Sequence, residues 1–447
     1  MPAVPPAADD APVILGNEPG SFPRNVLATR HPALIRQVRD AFPYGPEQHE
    51  ALDALLREIT DGVMEPLPAD AHDLGRWRSW GYDEQVGRSW FDAPFLWSES
   101  YFYRRLLGAV GYFTPGPWQG VDPFAPFKRA ELRTGAVDDE LTALDGLATV
   151  DGPTAAGDGT GRYDEDQAYA LLLASLWGNR ADLGFRISSP SPSPSPSPSP
   201  SPSPSVSASA SPSSPLSASD DGGTSGTDSA DSPLVADDSA LLWSLLPGGA
   251  PARPVHLIAD NAGRELIPDL VLLDHLLRTG RADRAVLHVK PCPYYVSDAT
   301  LPDVVDALRR LRGAPGYAAE IGSRLWDAMA TGRLDVRAHD FFRAPLPFDA
   351  MPADLRAQLA EASVTLVKGD LNYRRLVGDR AWPATRPFAE CTAYFPGPVT
   401  ALRTLKSDVI VGLSEATLKS LETRTGEAGS WRTSGTHALI QTRLSDR

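Results

Sequence analysis

The chain has 447 residues, enough to bury one large core or two ordinary ones, so size does not exclude an enzyme. Its 42 basic and 57 acidic residues give a net charge of -15 with no offsetting basic patch, which excludes nucleic acid and anionic membrane as partners. Two cysteines, Cys292 and Cys391, are too few for a disulfide scaffold or a thiolate metal site. With no basic, apolar leader in "MPAVPPAADDAPVIL" and no apolar run of about 18 residues, the expectation is a soluble, cytoplasmic protein.

The first elements are helical. In "HEALDALLREITDGVM" the apolar residues Leu52, Leu55, Leu56, Ile59 and Val63 recur at helical spacing. "SWFDAPFLWSESYFYRRLLGAVGYF" packs aromatic residues around Glu99, Arg104 and Arg105, the pattern of a core helix with a polar seam. "DEDQAYALLLASLWGNRADLGF" closes this helical N-terminal domain, placed at residues 20–186. A Ser/Pro-rich stretch at 187–240 follows and offers almost nothing to bury. It cannot offset the cost of ordering its backbone, so it reads as a disordered, partly extended linker. From Ile187 to Ala252 there are six aspartates and no Lys, Arg or Glu, which leaves -9 of the -15 charge for the rest of the chain.

From 241 to 447 the pattern changes. "PVHLIAD", "AVLHVKPCPYYVSD", "LDVRAHDFF", "VTLVKGD" and "LKSDVIVGL" are short β-rich runs separated by helical stretches such as "ELIPDLVLLDHLLRTG". Alternation of this kind predicts an α/β fold, a mostly parallel sheet with helices on both faces in a Rossmann-like three-layer arrangement. Ligands of such sheets sit beyond the carboxyl ends of the strands.

Two of these strand ends are acidic. Asp260 and Asn261 follow the run Val255–Ala259, and Asp298 ends the next run before a helix near Thr300–Asp303. Two carboxylates and an amide at neighbouring strand ends suit a hard divalent cation such as Mg²⁺ or Mn²⁺. Taken alone, Asp260 equally suits a helix cap and Asn261 a turn. His256, His288 and His339 lack metal spacing and read as packed residues. After the run Val364–Val367 come Lys368, Gly369, Asp370, Asn372 and Arg374, polar groups around a glycine turn that suit phosphoryl oxygens. Arg403 and Lys406 lie ahead of an expected strand Val409–Leu413 and either add positive charge or pair with Asp408 or Glu415.

"DNAGRE", "SDAT", "KGDLNYRRL" and "RTLK", in this order, resemble the damage-control phosphatase family, formerly a domain of unknown function, in the branch that includes the acidic residue methyltransferase. "APFLWSESYFYRRL" and "SLWGNRADL" extend the resemblance into the helical half. The resemblance implies a divalent-metal phosphatase (Mn²⁺, Mg²⁺, Co²⁺ or Ni²⁺) acting on small phosphate esters of the fructose 1-phosphate or fructose 6-phosphate type. It implies Asp260, Asn261 and Asp298 as metal ligands. It also implies Lys368, Gly369, Asp370, Leu371, Asn372 and Lys406 as substrate-binding positions, with Glu265 in the first ligand motif; Arg374 and Arg403, read from their own stretches, are candidate substrate contacts that add positive charge for a phosphate. Lys368 and Asp370 would join the three ligands in catalysis.

Metal-assisted hydrolysis is the preferred route and an aspartyl nucleophile at Asp260 the rival one. A second acid two residues on, as in haloacid dehalogenase-type phosphatases, is replaced here by Ala262. An S-adenosylmethionine-dependent carboxyl methyltransferase is the competing activity, and a noncatalytic phosphometabolite-binding protein the third reading. No strand is followed by a glycine-rich nucleotide loop, which speaks against methyl transfer. Oligomeric state is left open.

Overall fold

Every residue of Val255–Ile258 is buried, as expected for a strand covered on both faces. The computed structural model describes residues 11–148, 160–178, 233–248, 253–424 and 429–445. Within them seven strands form one sheet: β1 (Leu234–Asp237), β2 (Val255–Ile258), β3 (Ala285–His288), β4 (Leu334–Arg337), β5 (Val364–Lys368), β6 (Val399–Thr404) and β7 (Ala438–Arg443). The order is β1-β7-β6-β5-β2-β3-β4. All neighbours are parallel except β6 and β7.

Alternate side chains divide the sheet into two apolar faces. Val255 and Leu257 of β2, Val364 and Leu366 of β5 and Leu402 of β6 pack with the helices Thr160–Trp177, Leu266–Arg278, Leu301–Arg312 and Tyr317–Ala330. Ile258, Val367, Val399 and Ala401 point the other way, against Leu355 and Leu359 and against Leu376 and Val377 of the helix Asp370–Val377. The result is the three-layer α/β fold expected of the strand and helix alternation. A third apolar cluster belongs to the helices Pro46–Asp61 and Phe95–Ala109, and it takes in Tyr294 and Leu371 from the carboxyl edge of the sheet.

Four sequence expectations need correction. The strand placed at Val409–Leu413 is irregular chain; β6 lies ahead of it at Val399–Thr404, so Arg403 sits inside a strand. Both stretches carry β-branched apolar residues, and only pairing with β5 and β7 separates them. The run from Ala285 is a strand only to His288, and residues 289–298 form a loop. Val63 lies beyond the helix Pro46–Asp61 and is exposed. Finally, β1 and the start of the helix Ser239–Ser244 fall inside the range given to the linker. The rest of that linker and the end of "SLWGNRADL" lie outside the described residues.

The connections from β2 run outward through β3 to β4 on one side, and those of β5 and β6 run outward on the other. The direction reverses between β2 and β5. In a doubly wound sheet the crevice at this point, beyond the carboxyl ends of the two strands, is where ligands bind.

Candidate active site

Asp260 leaves β2 at that crevice, and a short backbone zipper fixes where it points. The Ala299 N–H donates to the Asp260 carbonyl at 2.9 Å and the Ala262 N–H to the Ser297 carbonyl at 2.6 Å. Asn261 and Asp298 are thereby bridged as antiparallel neighbours. Across the crevice β5 ends at Gly369, whose φ of +84° is a conformation that favours glycine. A β-carbon there would overlap the Asp260 carboxylate. Two strand ends thus bring the first acidic motif against the glycine of the "KGDLNYRRL" motif.

The side chains are arranged around this contact. The Asn261 Nδ2 donates to Asp260 Oδ2 at 3.2 Å and to Glu265 Oε2 at 2.8 Å, while the Ser297 hydroxyl donates to Asn261 Oδ1 at 2.6 Å. Asp298 is buried, and its Oδ2 lies 3.3 Å from the Lys290 ammonium without meeting hydrogen-bond geometry. Lys290 also donates to Asn372 Oδ1 at 3.3 Å. The Asn372 amide nitrogen in turn donates to the carbonyls of Ala259 and Lys368, tying β2 to β5. Gly178, at the end of the helix Thr160–Trp177, packs against the Glu265 side chain.

The basic residues nominated for phosphate differ in how free they are. Lys368 points along the helical face to Asp269, 3.0 Å away, and to the Ser175 carbonyl. Arg374 is buried between Asp379 and Glu99, with its guanidinium over the Phe95 ring. Arg403 donates to Asp370 Oδ1 at 2.8 Å and to the Ser407 carbonyl at 3.0 Å. Leu371 belongs to an apolar cluster. Lys406 alone among these cations has an exposed side chain, while its backbone N–H donates to Asp370 at 3.2 Å.

Known proteins match this chain along nearly all its length. The damage-control phosphatase ARMT1-like domain matches residues 26–195 and 210–421.

The chain belongs to the ARMT1-like damage-control phosphatase family.

It is therefore a phosphatase, of a family that acts on damaged or phosphorylated metabolites. Damage-control phosphatase ARMT1 of Danio rerio is 30% identical over 459 residues, covering 94% of each chain. The Mus musculus protein of the same name is 28% identical over 473 residues, covering 97% of this chain and 99% of its own. A solved structure of a DUF89 family protein from Pyrococcus horikoshii matches with TM-score 0.41 and 12% identity, over 94% of this chain and 98% of that one. Among the described residues no helix is long and apolar enough to cross a membrane.

The electrostatics of the site are those of crowded, poorly solvated acids. Burial, then the charges of Glu265 and Asp298, push the Asp260 carboxyl well above the usual carboxylate range. Burial likewise raises Asp298 to about 6 against the opposing pull of Lys290. Burial lowers the Lys290 ammonium, opposed by Asp298. Asp370 behaves differently: burial would raise it, but Arg403 and Arg374 outweigh that effect and hold it below the ordinary value. No three His, Cys, Asp or Glu side chains converge as a metal cluster among the described residues. The donors on offer are two carboxylates and the Asn261 amide. They are oxygen-rich, and Asp298 Oδ2 has no hydrogen-bond partner among the described residues, which fits a hard divalent cation.

His256 and His288 are packed, while His339 is half-buried. His288 Nε2 lies 3.0 Å from His256 Nδ1, and His339 contacts Asp354 at 3.0 Å. Sequence reasoning did not single out Lys290, Asp269, Ser175, Gly178 or Lys128. Lys128 is buried and donates to the Asp298 carbonyl at 2.9 Å and to Asp303 at 3.0 Å. These residues come from three different helices and a loop, and no local pattern marks them.

Proposed function

We propose that this phosphatase hydrolyses small phosphate monoesters, sugar phosphates of the fructose 1-phosphate or fructose 6-phosphate type, at the β2–β5 crevice. Asp260, Asn261 and Asp298 hold a divalent cation, Mn²⁺, Mg²⁺, Co²⁺ or Ni²⁺. The observation that carries this reading is the pair of buried carboxylates, Asp260 and Asp298, whose charges act on each other while the Lys290 ammonium lies 3.3 Å from Asp298. When bound, the cation supplies Lewis-acid polarisation of the phosphoryl group.

The chain's own residues do the rest. Glu265 holds the Asn261 amide nitrogen and the Ser297 hydroxyl donates to its Oδ1, which together fix the orientation of the amide. Arg403 pins Asp370, which supports the turn at Gly369. The Gly369 turn lets the backbone lie close against the Asp260 carboxylate, which occupies the space a side chain at 369 would need. Lys406 at the rim and Lys290 inside are the cations whose fields reach Asp260, and both offset charge developing on the phosphoryl oxygens. Lys368, held by Asp269, supports β5 from the opposite face.

The test is phosphate release from a panel of hexose and pentose phosphates with each of the four metals. Release from fructose phosphates above the other esters supports the proposal. Release confined to non-sugar esters would reject the sugar-phosphate class while leaving the phosphatase intact.

A further inference from the structure

The loop that delivers Asp298 is held in an unfavourable backbone conformation. Tyr295 and Val296 are consecutive non-glycine residues with φ of 46° and 58°, and Val296 is β-branched. Such a conformation persists only where the surroundings impose it. Here the helix Phe95–Ala109 imposes it. The Tyr295 hydroxyl donates to Glu99 Oε2 at 2.9 Å, Ser100 Oγ and the Tyr294 hydroxyl lie 2.6 Å apart, and the Tyr295 ring stacks on Tyr103 with centroids 4.8 Å apart. The same Glu99 oxygen accepts from Arg374 Nη1 at 3.1 Å. One buried carboxylate of the helical half therefore joins the metal loop to the helix that follows Gly369. Immediately after the strained pair, Ser297 donates to Asn261 and Asp298 enters the site.

We propose that Glu99 and Tyr295 are positioning residues of the active site: their hydrogen bond clamps the left-handed Tyr295–Val296 turn and so sets Ser297 and Asp298 against Asn261. The proposal rests on Asp260, Asn261 and Asp298 being the metal donors. Groups of this kind, one step behind the ligands, typically change metal affinity by roughly 10–100-fold when removed.

The experiment is a Mn²⁺ titration of the full chain followed by the electron paramagnetic resonance of free Mn²⁺. It compares wild type, Tyr295→Phe, Tyr295→Phe/Val296→Gly and Asp298→Ala, with thermal unfolding of each. Tyr295→Phe keeps the ring and its stacking and removes only the clamp, so it should weaken Mn²⁺ binding by roughly tenfold or more. Adding Val296→Gly should recover most of that loss, because glycine adopts this φ without strain and the turn no longer needs the clamp. A Tyr295→Phe protein that binds Mn²⁺ as wild type does overturns the proposal. So does a loss of affinity that Val296→Gly leaves unchanged. If Asp298→Ala binds Mn²⁺ as tightly as wild type, the ligand assignment itself is wrong and the clamp falls with it.

Discussion

Gly369 lies against the Asp260 carboxylate, where a β-carbon would overlap it, and its φ of +84° adds a second reason for glycine. Two strand ends far apart in sequence are made to meet by the reversal of the sheet between β2 and β5. Gly369→Ala should therefore displace Asp260 and destabilise the turn by roughly 1–2 kcal/mol. Phosphate release should fall by about 100-fold, the effect expected of a displacement near 1 Å, with helical content retained in circular dichroism. Activity within a factor of a few of wild type would show that the crevice tolerates the β-carbon.

Arg374 and Lys406 share a motif-based assignment to phosphate but sit in opposite surroundings. Arg374→Ala would leave Glu99 and Asp379 as buried charges without their partner, and breaking a buried pair costs about 3–5 kcal/mol. Urea denaturation should detect that loss. Lys406→Ala removes an exposed charge, so stability should stay within about 0.5 kcal/mol of wild type. Its signature should be a raised KM for the phosphate ester. Equal stability losses in the two variants would contradict this division.

How much of this was legible in the sequence depended on whether a signal was local. Asp260 was readable because it closes an apolar β-rich run ahead of a helix; Asp298 was readable as an acid just ahead of the next helix, although it ends a loop after β3, and the bridge between Asn261 and Asp298 makes the two motifs neighbours. The position of β6 was not readable, since "VTALRT" and "VIVGL" compete with similar propensity and hydrogen bonding to β5 and β7 decides between them. β1 and β7 were missed because short strands with polar ends carry little periodicity. The neutralisation of Lys368 by Asp269, and of Arg403 by Asp370, joins residues from separate elements, so cations that looked available from spacing are already paired. Lys290 lies in a loop after β3 and gains meaning only from Asp298 and Asn372.

His31 gives a pH dependence far from the crevice. Its ring is buried, stacks on Phe102 with centroids 3.7 Å apart, and neither nitrogen has a hydrogen-bond partner among the described residues. Burial lowers its pKa from 6.5 to about 3. Between those values the unfolded chain binds a proton that the folded chain refuses, so stability is full above pH 6.5 and falls as the pH drops. At pH 5 the loss is roughly 2 kcal/mol. His31→Phe should lose less stability than wild type between pH 7.5 and pH 5 in urea titrations. Identical losses would place the acid sensitivity elsewhere.

The most direct measurement is phosphate release from a fructose phosphate by protein stripped with a chelator and then supplied with Mn²⁺, for wild type and Asp260→Asn. The geometry predicts no release from stripped wild type, recovery on adding Mn²⁺, and no recovery in a folded Asp260→Asn protein. Release by stripped wild type, or full recovery in Asp260→Asn, would contradict a metal site built on Asp260.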